Sequence, residues 1–243
     1  MRMIVVRSFI FHILFYSGTI LMLIALSPCL LMHRPLFIPK LFTGYARFLL
    51  KYIVGLDVEI EGLNNIPKDN SFLIVANHQS VWETLMFFTI FKNPVMILKK
   101  ELLNIPLFGW YLLRTGMLAI DRKNAASSFK TLLREVDQRL KDEQRPICIF
   151  PEGTRKQPDQ PGEFQKGIYL IHKHTKAPIL CVVHNAGVYW RPHKFFIKPG
   201  KVNVFIYPVL PAVFDDDTLK TIVPGMIHTK AKELAKIGEN KHE

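Results

Sequence analysis

The stretch "FLIVANHQSVWETL" (residues 72–85) joins an apolar run to a short polar turn and then to a helix-like segment. The run "FLIVA" consists mostly of large or β-branched apolar residues, which predicts a buried strand that ends at Asn77. Ser80 is followed three residues later by Glu83, a capping-box pattern that predicts a helix start near Ser80. A buried strand leading directly into a helix is typical of α/β folds.

Six further segments have the composition of strands. They are short, rich in β-branched or aromatic residues, and bounded by Pro, Gly, Asn or Asp. Between them, residues 80–91 and 125–144 are patterned as helices. This alternation predicts an α/β fold with a mostly parallel sheet flanked by helices. The six segments are LDVEIEG (56–62), PVMILKK (94–100), GMLAIDR (116–122), PICIFPEG (146–153), APILCVVHNAG (177–187) and KVNVFIYPVL (201–210).

The N-terminal 55 residues differ from the rest of the chain. From Ser8 to Met32 there is no Asp, Glu, Lys or Arg, and a helix of about 25 such residues is long enough to cross about 30 Å of hydrocarbon. Pro28 would disrupt that helix near its end, and residues 35–55 mix aromatic with basic side chains as interfacial helices do. We predict an N-terminal membrane-embedded helical arm (1–55) that spans the bilayer or lies in one leaflet, with a buried core helix as the alternative, and one α/β domain (56–243).

Basic residues near the apolar run predict the side of the membrane on which the α/β domain lies. They are denser after the run, at Arg34, Lys40, Arg47 and Lys51, than before it, at Arg2 and Arg7. Cytoplasmic flanks of membrane segments are enriched in Lys and Arg. The α/β domain is therefore expected on the cytoplasmic side.

The formal net charge of +12, from 32 basic and 20 acidic residues, restricts the class of partner. Such a chain prefers anionic surfaces, which include nucleic acid, anionic lipid headgroups and phosphorylated substrates. No helix-turn-helix, RNA-recognition or zinc-finger pattern accompanies the charge, so a nucleic-acid partner is not expected. The apolar arm favours membrane lipids instead.

The cysteine and histidine residues predict neither disulfides nor a metal site. Cys29, Cys148 and Cys181 are far apart, and none belongs to a CxxC pair. The histidines show no ligand spacing, and His184, inside an apolar strand, is expected to be a core residue. We therefore predict no metal and no cofactor.

His78 and Glu83 form the first candidate catalytic pair. If His78 lies in the turn before the helix and Glu83 in its first turn, the carboxylate can hold one ring nitrogen and leave the other free to accept a proton. The alternative is purely structural, a capping box in which Glu83 accepts a hydrogen bond from the Ser80 amide. Both roles can coexist in one carboxylate.

A second motif, "CIFPEGTR" (148–155), follows another apolar strand. Glu152, Gly153, Thr154 and Arg155 leave that strand in a tight turn, where backbone amides and a guanidinium can hold a phosphate. The alternative is an ordinary Pro-Glu-Gly turn. "GMLAIDR" places Arg122 at the corresponding end of its own strand.

Four blocks in order, NHQSVWE, GMLAIDR, FPEGTR and APILCVVHNAG, resemble those of the glycerolipid acyltransferase family, in particular its bacterial 1-acyl-sn-glycerol-3-phosphate acyltransferases. The similarity spans residues from about 70 to 210. The family's usual aspartate is replaced here by Glu83, which is longer by one methylene group. "KKELLNIPLFGW" (99–110) also looks like a family segment, and this implies that Lys99 or Lys100 lies near a substrate phosphate, although a solvated strand end is an equal alternative.

The resemblance implies a function for each candidate residue. His78 would be the general base on the free hydroxyl of lysophosphatidic acid, with Glu83 fixing its tautomer. Arg122 and Arg155, with Glu152, Gly153 and Thr154, would bind the phosphate or glycerol part of the acceptor. The acyl donor would be a thioester of acyl-carrier protein or coenzyme A, attacked directly by the hydroxyl.

The resemblance also implies a location, the inner membrane with the active site on the cytoplasmic side. Two other functions remain open at this point. One is acylation of another lysolipid, such as a lyso-ornithine or lipid A type acceptor. The other is a basic membrane-binding protein without enzymatic activity.

Overall fold

The computed structural model describes residues 2–121, 125–211 and 216–239. Each of the seven segments with strand composition forms a strand. The strands are β1 (Leu56–Glu61), β2 (Leu73–Ala76), β3 (Val95–Lys99), β4 (Leu118–Ile120), β5 (Ile147–Ile149), β6 (Ile179–His184) and β7 (Gly200–Ile206).

Eight α-helices occur in the described residues. They are α1 (Arg2–Ala25), α2 (Phe37–Leu49), α3 (Trp82–Ile90), α4 (Phe108–Arg114), α5 (Ala125–Asp137), α6 (Gly167–Thr175), α7 (Ala186–Tyr189) and α8 (Asp216–Glu239). Wider π-type turns, Leu50–Val54 and Gln138–Asp142, extend α2 and α5. Short 3₁₀ turns occupy Ser27–Leu31, Leu63–Asn65 and Lys100–Asn104.

The strands form one mixed sheet in the order β1-β7-β6-β2-β5-β3-β4. Every described pair of neighbours is parallel except β6 and β7. The prediction of a mostly parallel sheet flanked by helices is therefore confirmed. Both β2 and β6 are buried along their whole length, because helices cover both faces of the sheet.

Alternate residues of β2 belong to two separate apolar cores. Ile74 and Ala76 pack in the core beneath α1, α2, α3 and α7. Leu73 and Val75 pack in the core beneath α5, α6 and α8. This two-residue period is the ordinary consequence of a pleated strand.

The single antiparallel pairing decides where the N-terminal arm joins the sheet. The parallel strands end at one edge, and β7 begins there because it runs opposite to β6. Strand β1 is parallel to β7, with Leu56 opposite Gly200, so β1 begins at that edge too. The Gly200 amide donates to the Gly55 carbonyl at 2.9 Å. The arm thus connects to the sheet at the edge where β2 and β5 end.

Helix α1 is the one helix among the described residues that is long and apolar enough to cross a membrane. Only 11% of its most apolar window is buried, unlike a core helix. It ends at Ala25, and Pro28 lies in the following 3₁₀ turn, as the disruptive effect of proline predicts. The Tyr45 hydroxyl of α2 donates to the Leu14 carbonyl of α1 at 2.6 Å, so the two helices contact each other.

Three arginines converge on Glu143 and connect the arm to the α/β domain. Arg34, which follows α1, and Arg139 each contact Glu143 Oε1 at 2.7 Å, while Arg145 contacts Oε2 at 3.3 Å. Arg139 also donates to the Gly116 carbonyl. Burial lowers the pKa of Arg145 to about 10, although Glu143 opposes that shift. Glu143 therefore offsets the charge of guanidinium groups that are largely shielded from water.

We expect Glu143→Ala to lower the free energy of unfolding by about 2–3 kcal/mol, because it leaves buried guanidinium groups without a carboxylate. Denaturant unfolding in one detergent measures the change. Glu61→Ala, at the exposed end of β1, is the control and should change stability by less than about 0.5 kcal/mol. Equal effects of the two substitutions would contradict the proposed role of Glu143.

Candidate active site

A large cavity opens at the edge where β2 and β5 end. Its volume is about 1130 Å³, and its lining is mainly apolar. His78, which follows β2, and the turn 150–155, which follows β5, line this same cavity. Apolar side chains of α1, α2, α3 and α4 form much of the remaining wall, among them Leu23, Phe42 and Phe88.

His78 and Glu83 meet as their spacing predicts. His78 Nδ1 lies 2.7 Å from Glu83 Oε1. The carboxylate side chain is fully buried, while the imidazole side chain is 16% exposed. Since an ionised carboxylate only accepts hydrogen bonds, Nδ1 carries the proton and Nε2 of the neutral ring is unprotonated. The ring also stacks on Phe150, with centroids 4.4 Å apart.

Glu83 Oε1 also accepts the backbone amides of Gln79 and Ser80, each at 2.8 Å. The orienting and capping functions therefore coexist in one oxygen atom. The helix begins at Trp82, two residues later than expected, and the Ser80 hydroxyl accepts the Trp82 amide at 3.2 Å. Burial by itself raises the pKa of Glu83, but His184, His78 and the Ser80 amide outweigh it and hold the pKa below its ordinary value.

Glu152 connects the two motifs through their backbones. The His78 amide donates to Glu152 Oε2 at 2.9 Å, and the Gly162 amide lies 3.3 Å from Oε1. The Lys156 amide donates in turn to the His78 carbonyl at 2.7 Å. Burial raises the pKa of Glu152, and the two backbone donors oppose that shift. Although it lines the cavity, Glu152 holds the turn beside His78.

Of the basic residues predicted to bind a substrate phosphate, only some line the cavity in the described part of the structure. Arg155 lines the cavity, and its Nε is buried without a hydrogen-bond partner in the described structure. Lys99 lines the cavity from the end of β3, whereas Lys100 pairs with Asp121 at 3.3 Å. Arg122 lies outside the described residues.

Gly153 and Thr154 also line the cavity. Gly153 has a φ of 68°, a left-handed conformation that glycine adopts without strain. Its amide donates to the Phe150 carbonyl at 3.0 Å, which closes the turn. The segment 153–155 is thereby turned back towards the cavity that contains His78.

Comparison with known proteins identifies the family to which the chain belongs. Residues 57–185 match a family model described as Acyltransferase. The chain is 34% identical over 213 residues to the 1-acyl-sn-glycerol-3-phosphate acyltransferase of Pseudomonas aeruginosa, covering 85% of this chain and 81% of the relative. The chain belongs to the acyltransferase family.

Other relatives and a solved structure agree with this membership. The acyltransferase is 29% identical over 227 residues to the 1-acyl-sn-glycerol-3-phosphate acyltransferase alpha of Mus musculus, covering 90% of this chain and 77% of the relative. Its fold matches the crystal structure of the 1-acyl-sn-glycerophosphate acyltransferase PlsC from Thermotoga maritima with a TM-score of 0.70. That match covers 95% of each chain at 22% identity.

His184 is a core residue of the acyltransferase, as its position in an apolar strand predicts, and it lies beside Glu83. It is fully buried, and its Nε2 donates to the Asn77 carbonyl at 3.0 Å and lies 3.8 Å from Glu83 Oε2. The Ala186 amide lies 3.3 Å from Nδ1, which is therefore the acceptor nitrogen of a neutral ring. Burial lowers the pKa of His184 despite the nearby carboxylate.

Cys148 and Cys181 do not have the surroundings of nucleophiles. Both are fully buried in strands of the acyltransferase sheet. Burial raises the pKa of Cys148 well above its ordinary value and that of Cys181 to about 12. Since the thiolate is the reactive form, an acyl-enzyme on either cysteine is disfavoured.

If Glu83 orients His78 as a base, Glu83→Gln should lower kcat by about 10²–10⁴-fold, because an amide cannot stabilise the imidazolium that would form when the ring takes a proton. Glu83→Asp keeps the negative charge and should retain more activity than the glutamine variant. Initial rates of acyl transfer measure both effects, and thermal unfolding checks that the helix start survives. A glutamine variant with wild-type kcat would refute the orienting role of Glu83.

Proposed function

We propose that this acyltransferase transfers an acyl chain from a thioester of acyl-carrier protein or coenzyme A to the sn-2 hydroxyl of 1-acyl-glycerol-3-phosphate, giving phosphatidic acid for phospholipid biosynthesis. One observation carries the proposal. An imidazole held through Nδ1 by a buried carboxylate lines an apolar cavity that also contains a guanidinium with a free buried nitrogen. The names of the relatives support the same acceptor.

In this reaction His78 Nε2 takes the proton of the acceptor hydroxyl as its oxygen attacks the thioester carbonyl carbon. Glu83 stabilises the imidazolium that results. When the tetrahedral intermediate collapses, the carbon–sulfur bond breaks and the imidazolium returns the proton to the departing sulfur. The hydroxyl thus attacks the donor directly, which agrees with the raised pKa values of Cys148 and Cys181.

The acceptor phosphate would contact Arg155, with Lys99, Arg122, Gly153 and Thr154 as further ligands. Arginine suits this function because its planar fork of N–H donors matches phosphate oxygens. An Nε that is buried without a partner loses hydration, and a phosphate oxygen would restore a hydrogen bond. Glu152 would act indirectly, by fixing the turn that carries Arg155 beside the backbone of His78.

The apolar lining of the cavity fits the hydrocarbon chains of donor and acceptor. Pockets for small molecules usually measure about 300–1,000 Å³, and this cavity is larger, at about 1130 Å³. Helices α1 and α2 contribute Met22, Leu23 and Phe42 to its wall. A lipid acceptor could then enter the cavity directly from the membrane in which the arm would lie.

The proposed location is the cytoplasmic face of the inner membrane, with membrane lipids as the surroundings of the arm. Support comes from the outward-facing apolar side chains of α1 and from the basic residues that follow it. The arm, residues 1–55, would anchor the catalytic domain, residues 56–243. The proposed reaction involves neither a metal nor a cofactor, and nucleic acid is not a partner in it.

His78→Ala should lower kcat at least about 10³-fold, because the acceptor hydroxyl loses its base. Purified protein in detergent is incubated with lysophosphatidic acid and, separately, each of the two acyl thioesters. His174→Ala is the matched control, since His174 is an exposed partner of Asp137 at 2.8 Å and should retain wild-type kcat. Full activity of the His78 variant would overturn the proposal.

Arg155→Ala should raise KM for lysophosphatidic acid about 10–100-fold, the expected loss for one charged hydrogen-bonding partner. The same substitution should have little effect on KM for an acceptor that lacks the phosphate. Arg155→Lys should be intermediate, since it keeps the charge but not the fork. Equal losses on both acceptors would argue against phosphate binding by Arg155.

A further inference from the structure

The segment Trp190–Lys198, called the aromatic loop here, connects α7 to β7. It lies at the edge where β6 ends and β7 begins, which is also the edge of the His78 cavity. Phe195 and Phe196 are 45% and 50% exposed, with their rings perpendicular at 5.6 Å. Two adjacent exposed phenylalanines on one loop suggest a binding surface.

The aromatic loop is held in place by the protein. Ile197 is fully buried, and its amide donates to the Ser8 hydroxyl at 3.0 Å. The Lys198 amide donates to the Tyr189 carbonyl at 2.9 Å. Because the residue after Phe196 is anchored in this way, the two exposed rings are presented at a fixed position.

The aromatic loop continues the apolar surface of α1. The His12 ring lies 4.5 Å from the Phe195 ring, and its Nε2 is 2.8 Å from the Phe195 carbonyl. On the other side His12 stacks on Tyr16 at 5.9 Å. Phe9 and Ile13 of α1 are 57% and 52% exposed. The loop therefore widens the face of the candidate membrane helix with side chains of the α/β domain.

The charge of the aromatic loop matches an anionic surface. Arg191, Lys194 and Lys198 are exposed, and residues 186–202 contain neither Asp nor Glu. Aromatic rings beside basic side chains are the composition that enters the headgroup region of anionic bilayers. His193 of the same loop lines the cavity, so the loop reaches from the cavity to α1.

We propose that the aromatic loop is a second membrane-docking element, by which the α/β domain contacts an anionic bilayer independently of the helical arm. Phe195 and Phe196 enter the interface, while Arg191, Lys194 and Lys198 contact anionic headgroups. With α1 as one attachment and the loop as another, the cavity is held at a fixed orientation to the bilayer. This inference rests on the proposed action on a membrane lipid.

The direct test places a fluorescent reporter in the loop of the full-length protein. Phe195→Trp, in a Trp110→Phe background, is mixed with vesicles of phosphatidylethanolamine and phosphatidylglycerol that carry brominated acyl chains. The fraction of tryptophan emission that is quenched should be larger than in the background protein, which keeps only the buried Trp82 and Trp190. The control is Leu170→Trp on α6. Leu170 is similarly exposed, at 48%, but its helix packs with α5 and α8. Equal quenching at the two positions, or none at position 195, would overturn the proposal.

The functional test uses Phe195→Ser/Phe196→Ser. Acyl transfer to lysophosphatidic acid in the same vesicles should fall at least tenfold, whereas the rate in detergent micelles should stay within twofold of wild type. A loss of equal size in micelles would overturn membrane docking. A loss of acyl transfer that occurs only with the acyl-carrier-protein donor would instead identify the aromatic loop as a binding surface for that carrier protein. Inactivity of the wild type in micelles would refute the proposed function, but the quenching result would remain valid.

The charge test compares two double charge reversals. Lys194→Glu/Lys198→Glu should weaken binding to phosphatidylglycerol vesicles, measured by co-sedimentation, and should leave binding to phosphatidylcholine vesicles unchanged. Lys68→Glu/Lys92→Glu is the matched control, because these exposed lysines precede β2 and β3, at the opposite edge of the sheet. If both pairs of substitutions weakened binding to phosphatidylglycerol vesicles equally, net charge alone would explain the effect. That result would contradict a specific docking site.

Discussion

The buried carboxylate of Glu83 is the constraint on which the site depends. An ionised carboxylate removed from water is costly unless hydrogen bonds or opposite charge compensate for it. Oε1 accepts three hydrogen bonds, from the His78 ring and from the Gln79 and Ser80 amides. The turn after β2 must therefore place the His78 ring and both amides around this one oxygen. That conformation fixes both the start of α3 and the tautomer of His78. One oxygen atom therefore both caps the start of α3 and orients the His78 ring.

Glu152 extends this constraint to the neighbouring strand. By accepting the amides of His78 and Gly162, it fixes the turn after β5 against the turn after β2. Arg155, three residues further on, then lines the same cavity as His78. Under the proposed function this matters, because a base and a phosphate-binding cation would act on one small molecule only if their separation is fixed.

The reversed direction of β7 connects the His78 cavity with the apolar N-terminal arm. Had β1 been parallel to β2, the arm would have met the sheet at the edge opposite to His78. Its actual direction places α1, α2 and the loop Trp190–Lys198 on the cavity side, where α1 and α2 complete the wall. Under the proposed function this arrangement would suit a membrane-lipid acceptor, which would not have to leave the bilayer surface.

The sequence by itself determined the seven strands, the apolar arm and the meeting of His78 with Glu83, because each is encoded within a few consecutive residues by hydrophobic period or spacing. Only the tertiary structure decided that β7 is antiparallel to β6, that Glu152 accepts the His78 amide, and that His184 lies beside Glu83 Oε2. The two side-chain contacts join residues 74 and 101 positions apart, and the pairing of β7 depends on strand direction. No local pattern specifies them, since they arise from which strands become neighbours when the two apolar cores are buried.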